Sequence, residues 1–163
     1  MAETVTREFD PDRWVLVPTL HAVERVRGRE LSPSADVPEV VRHLRTLARE
    51  ARVLLRNDVW IAVGPERALV MSEMRMKRFE RYEGELRRHL DRLGPSHTVY
   101  VITSEGCEPV AVGRLDLDEL RGEYERVRFS GESRALVLAR EGERALAVIT
   151  VRPPKRRERR LLE

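Results

Sequence analysis

The sequence predicts an α+β fold: an antiparallel sheet built from successive hairpins, alternating with three helices at 37–56, 74–93 and 117–126. Three observations carry that expectation. Three stretches repeat apolar residues at steps of three and four. Three pairs of short runs, rich in β-branched or aromatic residues, flank a glycine. Helical and strand-like stretches also follow one another in turn along the chain. The 163 residues fit one domain, since domains usually run to about 100–200 residues. That domain is expected over residues 1–151, with 152–163 as a basic, flexible tail.

Taken in order, 14–17 reads as a strand. Residues 22–26 read either as its hairpin partner or as a helical turn capped by Thr19. Residues 31–35 are an ordinary connector. In the first long helix, 37–56, Val37, Val40, Val41, Leu44, Leu47, Ala48, Ala51, Leu54 and Leu55 share a stripe. Asp36 with Glu39 opens it in the manner of a capping box, and Asn57-Asp58 closes it. A hairpin follows, Val59–Val63 with 68–71 around Gly64-Pro65-Glu66. The second helix, 74–93, aligns Phe79, Tyr82, Leu86, Leu90 and Leu93. It stops at Gly94-Pro95, where glycine suits the left-handed cap and proline cannot continue. Thr98–Thr103 and 110–112 form the next hairpin around Glu105-Gly106. Asp116 caps the third helix, 117–126, with Leu117, Leu120 and Tyr124 facing inward. Ala135–Ala139 and 145–151 form the last hairpin, around Glu141-Gly142-Glu143. Gly64, Gly106 and Gly142 are 42 and 36 residues apart, but no matching side chains support a true repeat.

Strands with one covered face should alternate apolar and polar residues. Neither Val59–Val63 nor 145–151 does. Both faces therefore need cover, either from helices on each side or from a second copy of the chain.

The charge is unevenly placed. The formal net charge is +3, and the segment 152–163 holds six basic and two acidic residues, leaving the body at −1. Arg152, Lys155, Arg156, Arg157, Arg159 and Arg160 are the candidate contacts for nucleic acid or an acidic partner. No aromatic residue lies among them, so base stacking by this segment is not offered. All but two of the basic residues, Lys77 and Lys155, are arginine; the excess runs through the whole chain and reads as a compositional habit.

Sequence motifs exclude several chemistries. There is no phosphate-binding glycine loop followed by Lys-Ser/Thr, no GxGxxG, HExxH, CxxC or GxSxG. The single cysteine, Cys107, rules out an intrachain disulfide. A catalytic Cys107 would need a histidine beside it, and His97 starts the strand that Cys107 follows, roughly 23 Å away along an extended chain. His21, His43, His89 and His97 have no metal-like spacing. Asp116-Leu117-Asp118-Glu119 offers three carboxylates, but a helix cap and a first turn account for them. Met71, Met74 and Met76 read as core filling at a strand–helix joint.

The N-terminus shows no basic start followed by an apolar stretch, and the longest apolar run is far short of the roughly 20 residues of a membrane helix. The expected protein is cytoplasmic, without a membrane span, cofactor, metal or catalytic residues. Its expected function is non-catalytic: a protein-binding adaptor acting as a homo-oligomer. The alternative is an RNA- or DNA-associated protein using the arginine-rich end as an electrostatic anchor.

Overall fold

The computed structural model describes residues 4–6 by backbone alone and residues 10–163 in full. The elements run β1 (Thr4–Thr6), β2 (Trp14–Pro18), α1 (Leu20–Val26), α2 (Val37–Arg49), β3 (Arg52–Arg56), β4 (Val59–Val63), β5 (Ala68–Glu73) and β6 (Lys77–Arg78). There follow α3 (Phe79–Leu93), β7 (Thr98–Thr103), β8 (Gly106–Ala111), α4 (Leu117–Glu123), β9 (Arg126–Ser130), β10 (Ala135–Ala139), β11 (Arg144–Arg152) and α5 (Arg156–Arg159). The fold is α+β. Among the described residues it has five helices and two mixed, mostly antiparallel sheets, not three helices and one antiparallel sheet.

The first sheet has the order β1-β3-β4-β5-β11-β2 and the second β6-β9-β10-β7-β8. Each contains one parallel pair, β11 with β2 and β10 with β7. Helices α1 and α2 cover one face of the first sheet: Val23, Val26, Val40, Leu44 and Ala48 pack on Leu16, Val53, Leu69, Met71, Leu146 and Val148. Helices α3 and α4 cover the second, with Phe79, Leu86, Leu90 and Leu117 against Val99, Val127, Leu136 and Leu138. The remaining faces meet between the sheets, where Val15, Val17 and Ala145 touch Ile102, Ala135, Val137 and Ala139.

This layering explains the strands that fail to alternate. In β10 all five residues are buried, even-numbered ones towards α3 and α4 and odd-numbered ones towards the first sheet. In β11 the register slips between Val148 and Thr150, so Leu146, Val148 and Val151 reach the same core although their spacing is uneven. In β4, Ala62 joins the core beneath α2, whereas Ile61 and Val63 face the other way and meet Leu161 and Leu162 from the chain's end.

Several boundaries differ from the sequence expectation. Helix α2 ends at Arg49, and residues 52–56 are strand β3 rather than its continuation. Val53 and Leu54 are both apolar, which suits a helical stripe, yet they face opposite layers with strand periodicity. Asn57 and Asp58, both at positive φ, form the two-residue turn of the β3–β4 hairpin. Helix α3 starts at Phe79 instead of 74, and α4 stops at Glu123 instead of 126, because β5, β6 and β9 claim the flanking residues for sheet pairing. The hairpins β4–β5 and β7–β8 pair as expected. The last one does not: β10 and β11 lie in different sheets, and β11 pairs with β5 and β2 instead. Residues 20–26 take the helical alternative, with the Thr19 hydroxyl accepting from the Ala22 amide.

Candidate functional site

The first candidate is the sequence-predicted set at the chain's end. Arg152 closes β11, Pro153-Pro154 turn the chain, and α5 follows as a single turn that runs into a 3-10 turn at Arg160–Leu162. A glutamate three residues after the helix-opening Lys155 reaches back to its amide, the reciprocal half of a capping box. That glutamate, Glu158, is 0 % exposed. Arg152 grips it with a two-pronged fork, Nη1 donating to Oε1 at 2.7 Å and Nη2 to Oε2 at 2.8 Å, and the Lys155 amide donates at 2.8 Å. The Arg152 hydrogen bonds hold the Glu158 carboxyl below the usual carboxylate range although burial pushes it up. The same bonds raise Arg152.

Buried Pro154, together with Leu161 and Leu162 against Leu54, Ile61, Val63 and Ala68, seats this segment on the first sheet. Arg52 also donates to the Leu161 carbonyl. The residues expected to hang free are thus placed against the sheet. With Glu158 turned inward on a one-turn helix, Lys155, Arg156, Arg157, Arg159 and Arg160 are all exposed. Of the six predicted contacts, Arg152 is committed to the buried Glu158 carboxylate, and the other five, all exposed, form a cationic ridge.

The second candidate was not singled out in the sequence. A cleft of about 580 Å³ opens where α2 faces β8 and the start of α4. Its α2 wall carries Arg42, Arg45 and Arg49, spaced three and four apart and so on one face. The opposite wall carries Glu105, Glu108, Asp116, Glu119 and Glu123. Much of that acidity is already answered. Arg140 pairs with Glu105 and Glu123 and lies over the Tyr124 ring, 4.7 Å from its centroid. The Asp116 carboxylate accepts from the Asp118 and Glu119 amides as helix cap. Arg45 is 9 % exposed, and its Nη1 is buried without a hydrogen-bond partner among the described residues. Burial lowers its pKa, and neighbouring Arg49 lowers it further.

Cys107 lines the same cleft, but no histidine does. Burial pushes its thiol up to about 12, which keeps it protonated and poorly nucleophilic at neutral pH. His43 Nε2 lies 3.0 Å from Glu30 Oε1 beside α2, and His89 lies 3.7 Å from Glu85, so each has a single carboxylate neighbour among the described residues. Among the described residues no three His, Cys, Asp or Glu side chains converge as metal ligands would. Asp118 pairs with Arg87 and Arg121. Met71 is fully buried, while Met74 and Met76 pack at the seam between the sheets. Among the described residues no helix is long and apolar enough to cross a membrane.

What the fold and sites define is an α+β protein with a basic ridge and a charged cleft. The chain matches no protein-family model, and no curated protein is recognisably similar to it in sequence.

Proposed function

We propose that the protein is a non-catalytic binding protein that associates with nucleic acid, RNA or DNA, through the ridge formed by Lys155, Arg156, Arg157, Arg159 and Arg160. One observation supports this reading above the others: α5 turns its only acid inward onto Arg152 and leaves five cations exposed within six residues. Arginine forks match phosphate oxygens, and a seated ridge loses less conformational entropy on binding than a free tail would. The contact is to backbone phosphate, so it is blind to sequence.

Neutralising about four phosphates gives a slope of log K against log salt near −3.6, or about a hundredfold loss of affinity between roughly 50 and 200 mM salt. Fluorescence anisotropy with mixed-sequence single- and double-stranded oligonucleotides across a salt series tests this. The variant Arg156→Gln/Arg159→Gln/Arg160→Gln is expected to bind far more weakly and with a flatter slope. Equal binding by the variant, or binding indifferent to salt, refutes the reading.

Adaptor function through self-association keeps one supporting observation. The two exposed large hydrophobics among the described residues, Leu20 at 62 % and Ile149 at 39 %, share a corner, where the Thr19 hydroxyl donates to the Val148 and Ile149 carbonyls. The apolar sheet faces that argued for a second copy from sequence are largely occupied within the chain, by helices, by the other sheet and by Leu161-Leu162.

A further inference from the structure

We infer that the cleft between α2, β8 and α4 binds a small, multiply charged oxyanion, a phosphate or polycarboxylate group, with Arg45 as the anchoring cation and Arg42 and Arg114 on the rim. This site is separate from the basic ridge and does not depend on it.

Holding Arg45 where it sits is costly. A guanidinium stays charged in a protein, so burial cannot be relieved by losing the proton. Buried charges are normally paired and hydrogen-bonded. Arg45 is nine-tenths buried, makes no hydrogen bond or ion pair among the described residues, and has a second arginine one turn away on the same helix face. Like charges at that spacing repel. Asp12 and Glu105 attract it only through space. A fold that holds a cation in this condition has a reason to accept an anion beside it.

The surroundings favour such a guest. Arg42 and Arg114 also line the cleft, and neither forms an ion pair among the described residues. On the facing wall, Glu105 and Glu123 are drawn onto Arg140, and Asp116 is held by the α4 amides, which weakens their claim on the cleft's arginines. Exposed Glu108 and Glu119 remain, so a ligand that also offers hydrogen-bond donors at its far end suits the cleft better than a bare ion. A volume of about 580 Å³ fits a small metabolite. Tyr124, Leu115 and Leu120 provide apolar wall for its body. The size also argues against a nucleic-acid backbone as occupant, because a cleft of metabolite volume does not follow a polymer.

Isothermal titration of the full chain with pyrophosphate and, separately, citrate tests the inference and distinguishes phosphate from carboxylate as the preferred head. Saturable binding of at least one is expected. Arg45→Met keeps an unbranched stem but removes the guanidinium, and should weaken that binding by roughly tenfold to a hundredfold, the loss expected for charge-assisted hydrogen bonds. The unliganded variant should melt no lower than the wild type, since an unpaired buried charge has gone. Exposed Arg42→Gln, which does not threaten folding, should weaken binding as well. The ridge variant Arg156→Gln/Arg159→Gln/Arg160→Gln should bind these anions like the wild type, so failure here and failure of the nucleic-acid reading are separable. No saturable binding of either anion, or affinity unaltered in both Arg45→Met and Arg42→Gln, overturns the inference. An Arg45→Met protein that melts far below the wild type does so too, because it makes Arg45 a structural cation.

Discussion

Replacing Glu158 by glutamine should release the C-terminal segment from the sheet. Three donors converge on this one carboxylate, two from Arg152 and one from the Lys155 amide, at 2.7, 2.8 and 2.8 Å. Glutamine preserves shape but removes the charge and turns an amide nitrogen, itself a donor, towards the arginine fork. Removing one partner of a buried pair costs about 3–5 kcal/mol, because the other charge stays behind. The Arg152 side chain is 20 % exposed and can recover some hydration, so the low end of the range applies, about 3 kcal/mol. That is roughly a hundredfold in the docking equilibrium. Amide hydrogen exchange across 156–162 should accelerate by about that factor, while amides of α3 and β10 keep their protection. Trypsin should cut after Arg156, Arg157, Arg159 or Arg160 sooner than in the wild type. Exchange within about threefold of wild type, with an unchanged digestion pattern, would refute the reasoning, since a difference that small lies below 1 kcal/mol. The pH dependence has a definite sign. Glu158 is held below the unfolded carboxylate value of about 4.3, so its contribution is complete above that pH and is lost as pH falls through the depressed folded value. Acid should therefore loosen the segment in the wild type and have much less effect on it in Glu158→Gln.

Two further outcomes are expected. Burial raises the Cys107 thiol to about 12, so alkylation at pH 8 should be slow in the native protein and fast in urea; ionisation of the unfolded thiol should also drain stability as pH climbs from about 8.5 towards the folded value. Equal alkylation rates in the two states would contradict this half-buried placement of the thiol. Asp58→Gly should stabilise the β3–β4 hairpin by about 0.5 kcal/mol, because Asp58 sits at φ 66° and glycine removes the left-handed strain at some cost in chain entropy; a lower urea midpoint would count against that turn.

Much of the secondary structure is readable along the chain where the signal is local. Asp36, Asp116 and Gly94 stand at the helix ends they were expected to mark, and the glycine at 106 sits in the β7–β8 hairpin at φ 139°. Caps and turns involve only neighbours, so short windows contain the whole interaction. Residues 52–56 show the limit. Val53-Leu54-Leu55 continues a helical stripe as well as it forms a strand, and pairing to β4 and β1 decides between them. β9 lies outside the expected elements because the alternation of Arg126 and Arg128 with Val127 and Phe129 is too short to stand out beside the helical pattern before it, and its ladders to β10 and β6 complete the strand.

The two candidate sites differ in the same way. The basic ridge is visible as composition, since six cations in a dozen residues need no partner to be noticed. The cleft is not. Arg42, Arg45 and Arg49 look like the solvated face of an amphipathic helix, and the one local hint is the like-charged pair Arg45–Arg49 with no acid between them. Burial of Arg45 arises only when β8, some sixty residues later, packs beside α2.

Composition and short-range pattern alone established an α+β chain with capped amphipathic helices, two tight hairpins and a surplus of positive charge at one end. Tertiary contact decided the rest: the division of strands between two sheets, the parallel pairs, the seating of the arginine-rich end, and the isolation of Arg45. The physical reason is that backbone ladders and desolvation depend on which distant groups approach. Glu158 illustrates it. In the sequence it is one acid among arginines, and only the fold removes its water and makes Arg152 its partner.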